Sequence, residues 1–180
     1  MAESSEMKRR APCQSGIRWK SQRPHHSSES VNLYNCLMIV EEDGMNICVG
    51  QKALRSLSLT AEHVKTFAEL TGDYNPLHFD ESFVAQTPFK KLVVQGGLTT
   101  GLLHALVAMD MPGPGTVFLS QHWKFTSPVF VGDTITAEAE VLSVHQVKPV
   151  TQLRIKVVRQ NGETVLEGEA WCYTFPHITG

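Results

Sequence analysis

The segment Gly96–Met109 constrains this chain more than any other. Leu98, Leu102, Leu106 and Met109 recur along it at helical spacing, and Gly97, Gly101, Ala105 and Ala108 form a second stripe of small residues. A helix that is apolar on two faces belongs inside a protein. Its small residues would let the backbone approach a neighbour closely. Met111-Pro112-Gly113-Pro114-Gly115 stops it, because proline cannot continue a helix. The rest of the chain, from Thr116 on, reads as β-structure. The alternation predicts strands over Thr116–Phe125, Thr134–His145, Val150–Arg159 and Glu163–Phe175, with a bend around Ser127-Pro128 and Gly132-Asp133. Asn161-Gly162 marks a tight hairpin. A long buried helix succeeded by a meander of antiparallel strands implies an α+β fold, one curved sheet wrapped around a central helix.

The half before this helix is patterned from about Gln51. Ala53–Leu59 reads as a strand. Thr60 suits the N-cap of a helix over Ala61–Thr71, with Val64, Phe67, Ala68 and Thr71 on one face and Gly72 at its end. An irregular loop over Asp73–Phe79 comes next. Asp80 then caps a short helical turn through Ala85, which Thr87-Pro88 breaks. Residues 51–180 therefore form one domain.

Residues 1–50 are set apart as an extension. The first 30 hold six basic residues, three acidic ones and seven serines, with almost no large apolar side chains. Such a stretch buries too little to offset its ordering entropy. It reads either as a disordered tail or as a basic, serine-rich targeting segment, with Glu3 and Glu6 counting against the second.

Composition narrows the partners. A net charge of −2 favours no nucleic acid, and no apolar run is long enough to span a bilayer. Cys13, Cys36, Cys48 and Cys172 show no metal-like spacing, so neither a zinc site nor a disulfide framework is expected.

The chemistry concentrates in Gly72-Asp73-Tyr74-Asn75-Pro76-Leu77-His78-Phe79-Asp80. Glycine, aspartate, asparagine and proline are turn formers, so the plain reading is a turn. Yet the loop joins an acid and an imidazole across a rigid Asn-Pro, between two helices. Asp-x-Asn-Pro-x-His would arise by chance in roughly one chain of this length in a thousand.

Asp73-x-Asn75-Pro76-x-His78 resembles the active-site motif of the MaoC-like (R)-specific enoyl-CoA hydratases and hydroxyacyl-thioester dehydratases. The resemblance continues through Val94-Gln95-Gly96-Gly97, through Met111 to Gln121, and through Phe125-x-x-Pro128-Val129-Phe130-Val131-Gly132-Asp133. The Met-Pro-Gly-Pro-Gly and Phe-Leu-Ser-Gln segments are most similar to the mitochondrial type 2 dehydratase branch.

That resemblance implies a hotdog fold and reversible dehydration of (3R)-3-hydroxyacyl thioesters, as in mitochondrial fatty-acid synthesis. Asp73 and His78 would be the acid–base pair, and the direction of each proton transfer stays open. Gly96, with Gly97 second, would offer the backbone N–H that stabilises a thioester enolate. Asn75 would orient the pair or hold the loop. The substrate carrier would be acyl carrier protein or CoA, with no cofactor and no metal, in a homodimer. The implied location is mitochondrial, with cytosolic or peroxisomal as alternatives.

The motif departs from many relatives at Gln95, where they carry histidine, and near His104, where many bacterial hydratases carry serine. Both positions bear on substrate range. Phe83, Phe89, Leu98, Leu102 and Trp123 are candidates for an acyl tunnel, and Lys90-Lys91 for carrier docking or for a solvated turn. Three other readings compete: an (R)-specific hydratase of fatty-acid oxidation, a hotdog thioesterase, and a non-catalytic acyl-thioester binder.

Overall fold

A computed structural model describes residues 47–175. The extension read as a tail or targeting segment lies outside them, except for its last four residues. The chain runs β1 (Lys52–Ser58), α1 (Ala61–Thr71), α2 (Pro76–Phe79), α3 (Glu81–Val84), α4 (Gly96–Met109), β2 (Thr116–Phe125), β3 (Thr134–Val144), β4 (Val150–Arg159) and β5 (Thr164–Thr174). The strands form one sheet in the order β1-β3-β4-β5-β2, with every neighbouring pair antiparallel.

Helix α4 lies on the inner face of this sheet. Leu102, Leu103, Leu106 and Val107 are buried against Ile135, Ala137, Ala139 and Val141 of β3, Leu153, Ile155 and Val157 of β4, and Leu166, Ala170 and Cys172 of β5. This is the expected hotdog architecture. The outer face carries Glu138 and Glu140 on β3, Arg154 and Lys156 on β4, and Glu167 and Glu169 on β5, in facing register. Alternating charge between neighbouring strands keeps that face in water.

Two expectations change. β3, β4 and β5 do form a meander, but β2 does not precede it in space. It crosses to the far edge and pairs with β5, while β3 pairs with β1. Alternation along a strand records which face is buried and nothing about which strand is its neighbour. The second change concerns α4, which is buried on one side only. Gly97, Gly101 and His104 are exposed, and Met109 is 62% exposed. The small-residue stripe faces away from the sheet. Cys172 is free and buried, and burial pushes its thiol up to about 12.

The β4–β5 hairpin is tied by charge. Arg159 pairs with Asp133 at 3.2 Å and with Glu163. Hydrogen bonds from Ser127, Arg159 and Asn161 hold the Glu163 carboxyl down at about 2. Asp133 is also lowered: burial acts against its charge, but the Phe130 N–H, Gln160 and Arg159 outweigh it. A carboxyl whose folded pKa is depressed stabilises the fold above its unfolded pKa, and that contribution fades as pH falls toward the folded value. The melting temperature is therefore expected to fall between about pH 4.5 and pH 2. A Glu163→Gln variant should melt lower at neutral pH and lose less on acidification. Calorimetry across that range tests it, and identical pH profiles would refute it.

Candidate active site

The loop after α1 is built by short local bonds. Gly72 takes the left-handed conformation, with φ of 78°, and its N–H donates to Ala68 O at 2.8 Å. The chain therefore leaves the helix axis at Asp73. Asn75 N–H donates to Asp73 Oδ1 at 3.4 Å, and Asn75 Oδ1 accepts from Leu77 N–H at 3.1 Å. Asn75 thus caps α2, with Pro76 at its first position. Of the structural and orienting roles open to Asn75, its side-chain oxygen is engaged in the first, as the cap.

His78 occupies the last turn of α2, and its Nδ1 lies 2.6 Å from Val93 O. A carbonyl only accepts, so Nδ1 carries the proton. In the neutral ring Nε2 is then left with its lone pair. Nε2 stands 3.7 Å from Asp73 Oδ2. That separation is longer than a hydrogen bond. It leaves both groups able to contact one oxygen atom beside the line between them. The His78 side chain is 10% exposed and that of Asp73 is 44% exposed. The imidazole is anchored and the carboxylate faces the open side.

Val93 is held on two sides. Its N–H donates to Leu77 O at 3.0 Å, and it forms an isolated antiparallel bridge with Phe130. Helix α4 begins just beyond it at Gly96. One short segment therefore carries both the anchor of His78 and the helix N-terminus. The first N–H groups of a helix have no intrahelical acceptor and sit at the positive end of its dipole. Those of Gly96 and Gly97 are in that position.

Both glycines also admit aromatic rings. A Cβ on Gly97 would fall 2.3 Å from Phe67 Cζ, and one on Gly96 would fall 3.2 Å from Phe125 Cζ. Gln95, which is buried, donates from Nε2 to Val64 O at 3.1 Å and so ties the start of α4 to α1.

The remaining candidates separate. Leu102 is part of the core, and Leu98 and Trp123 pack against it half-buried, whereas Phe83 and Phe89 are exposed. His104 stacks on Phe118 at 4.8 Å and meets Gln121. Lys90 Nζ donates to Ala85 O at 2.9 Å and closes α3, while Lys91 Nζ lies 6.0 Å from the Phe130 ring. These two lysines border a cavity of about 480 Å³ together with Glu81, Val84, Leu92 and Val131. Among the described residues, no group of three or more His, Cys, Asp or Glu gathers as metal ligands would, and no helix is long and apolar enough to cross a membrane.

An imidazole lone pair, a nearby carboxyl and a helix N-terminus suit proton transfer beside a carbonyl that becomes an anion. A family model described as MaoC like domain matches residues 47–165. This chain belongs to the MaoC-like domain family. The MaoC-like domain here is 42% identical, over 122 residues, to an (R)-specific enoyl-CoA hydratase of Aeromonas caviae, a match covering 68% of this chain and 91% of that protein. It is 32% identical over 124 residues to the mitochondrial 3-hydroxyacyl-acyl-carrier-protein dehydratase FERN of Solanum lycopersicum, covering 68% and 74%. A solved structure of an (R)-hydratase from A. caviae, described as involved in PHA biosynthesis, superposes with a TM-score of 0.69 at 40% identity, covering 72% of this chain and 98% of that one.

Within this MaoC-like domain, the site depends on a group that sequence reasoning passed over. Val93 contributes through its backbone carbonyl, and any side chain there would leave the same acceptor. No residue type signals it.

Proposed function

We propose that this chain is a hydro-lyase that reversibly dehydrates (3R)-3-hydroxyacyl thioesters to trans-2-enoyl thioesters, with Asp73 and His78 as its catalytic residues. The observation that carries the reading is the contact of His78 Nδ1 with Val93 O. With Nδ1–H on Val93 O, the neutral ring offers Nε2 as a proton acceptor on the side of Asp73.

In the hydration direction, Nε2 takes a proton from water as the water oxygen bonds to C3. The electron pair of the 2,3 double bond moves toward the thioester oxygen, and the Gly96 N–H at the α4 terminus, with Gly97 second, stabilises that charge. The proton taken up at Nε2 passes to the Asp73 carboxylate, which delivers it to C2. The pair is thereby restored to a neutral imidazole and a carboxylate, and dehydration reverses each transfer. Asn75 serves by holding the loop.

The carrier is proposed to be acyl carrier protein, in mitochondrial fatty-acid synthesis. The support is the resemblance of Met111–Gln121 to that branch and the mitochondrial names of the tomato relative and of an Arabidopsis thaliana relative at 29% identity. The competing reading, a CoA hydratase, has its support in the A. caviae relative. The test is turnover of crotonyl-CoA and crotonyl-ACP by the purified protein, followed through the enoyl absorbance. A larger kcat/KM with the ACP thioester supports the first reading and a larger one with CoA the second. Turnover of neither ends the proposal and leaves a binding protein.

A homodimer completes the reading. β2 is an edge strand with Val117, Leu119 and Phe125 exposed, and the outward face of α4 is lined by glycine and alanine. An open apolar edge is otherwise an aggregation hazard. Sedimentation at twice the 20.0 kDa chain mass is the expected result, and a stable monomer would refute it.

A further inference from the structure

We infer that Asp133 is a positioning residue for this reaction: through the backbone of Phe130 and Val93, it holds His78 in the tautomer that leaves Nε2 free to accept a proton. The inference rests on the proposed role of His78. Asp133 touches neither His78 nor Asp73 and belongs to a different part of the sequence.

The connection runs through the turn ending at Asp133 and the bridge between Phe130 and Val93. Asp133 is mostly enclosed, its side chain 13% exposed. Its Oδ2 accepts from Phe130 N–H at 2.9 Å and from Arg159 Nη1 at 3.2 Å, and its Oδ1 accepts from Gln160 Nε2 at 2.8 Å. Its own N–H donates to Phe130 O at 3.1 Å. The side chain and the backbone of Asp133 therefore close the turn Phe130-Val131-Gly132-Asp133 together. Arg159 grips the same turn a second way, its guanidinium lying 5.4 Å from the Phe130 ring centre.

That turn sets the place of the segment beside it. Phe130 bridges Val93, and Val94 N–H donates to Val129 O at 2.8 Å. Val93 O then receives the His78 Nδ1 proton at 2.6 Å. Among the described residues, Val93 N–H is taken by Leu77 O, while Phe130 faces Val93 across the bridge and the adjoining hydrogen bond runs from Val94 N–H to Val129 O. Leu77 sits on the same short helix as His78, so it moves with the imidazole. The pairing of Val93-Val94 with Val129-Phe130 does not travel with the imidazole, and Asp133 holds Phe130 by its N–H and its carbonyl.

A ring nitrogen keeps its proton according to the bond the other nitrogen makes. If Val93 O drifts, the Nδ1–H bond lengthens and the Nε2–H tautomer gains population. That tautomer cannot accept a proton at Nε2. A charge-bearing turn at the start of β3 is thereby coupled to protonation in the loop. Because the effect falls on proton transfer and not on thioester contacts, it should appear in kcat.

The test is Asp133→Asn, whose amide keeps the shape but replaces one accepting oxygen with a donor. The kcat of the hydration assay is expected to fall about 10- to 100-fold, the size of loss a displaced catalytic group produces, with KM within about twofold. The nitrogen spectrum of His78 should shift from a protonated Nδ1 toward a mixture of tautomers. Asp133→Glu, which keeps the charge, should recover part of the kcat. A folded Asp133→Asn protein with unchanged kcat and unchanged His78 tautomer would overturn the inference.

Should Asp133→Asn not fold, Gln160→Leu removes one donor to the carboxylate from an exposed position. It is expected to move the tautomer in the same direction with a smaller loss of kcat, and no movement would overturn the inference as well. The tautomer is read without turnover. An inactive wild type would thus defeat the proposed function while the His78 spectrum still decides the coupling.

Discussion

Asp73→Asn and His78→Asn are each expected to lower kcat for hydration of a crotonyl thioester by about 10²- to 10⁴-fold, the range that a positioned acid or base contributes. The choice of asparagine separates chemistry from architecture. At position 78 its amide can still donate to Val93 O, replacing the Nδ1–H bond of 2.6 Å, but it offers no lone pair where Nε2 stands. At position 73 its carbonyl can still accept from Asn75 N–H, replacing the bond at 3.4 Å, but it carries no proton for C2. Melting temperatures should therefore stay near wild type, and KM should change little, because neither group is proposed to grip the carrier. The double variant should be scarcely worse than the poorer single one, since two residues that share one proton act as a unit. Full activity in a folded His78→Asn protein would sink the acid–base assignment. Activity lost together with the melting transition would show instead that the loop is structural.

The readable part of this molecule and the unreadable part divide along a physical line. Helix boundaries were legible because local chemistry sets them. Thr60 caps α1, Gly72 ends it with a positive φ, and Pro112 comes just after the end of α4. Asp80 likewise caps α3 by accepting from Phe83 N–H at 2.9 Å. The Asp73 and His78 pair was legible because both side chains lie on one loop, so sequence distance and spatial distance nearly coincide. Strand order was not, since β2 and β5 meet across some fifty residues whose pairing leaves no local trace. The buried face of α4 was obscured for a related reason. Leucines and glycines both read as buried, yet glycine contributes no apolar surface that demands burial, and only the leucine side meets the sheet. The roles of Val93 and Asp133 escaped because one acts through a carbonyl and the other through a turn, neither of which depends on a distinctive side chain at the site.

The other large effect is expected far from the chemistry, at Gly168 on β5, which pairs with Trp123 on β2 and with Ile155 on β4. A Cβ there would lie 1.9 Å from His122 O and 3.0 Å from Trp123 Cε3. The nearer obstacle is a backbone carbonyl within a strand ladder. It cannot rotate away as a side chain can, so β2 would have to move off β5 to make room. Gly168→Ala is expected to cost about 3 kcal/mol or more, the upper range for overpacking, and to lower the melting temperature accordingly. Gly97 makes the comparison informative. The obstacle there is the tip of the Phe67 ring at 2.3 Å, so Gly97→Ala should be largely rescued by Phe67→Leu. Trimming Trp123 to leucine in the Gly168→Ala background should rescue nothing, because the His122 carbonyl remains. Denaturant melts of the four proteins decide between these cases. Recovery of Gly168→Ala by the Trp123 change would mean that the ring, and not the backbone of β2, sets the spacing of the two strands. β2 is also one of the two edge strands of the sheet, so displacing it should weaken any dimer formed along that edge. Loss of the sedimentation dimer in Gly168→Ala, with the dimer preserved in the Gly97→Ala, Phe67→Leu pair, would tie the assembly to β2 and not to the start of α4.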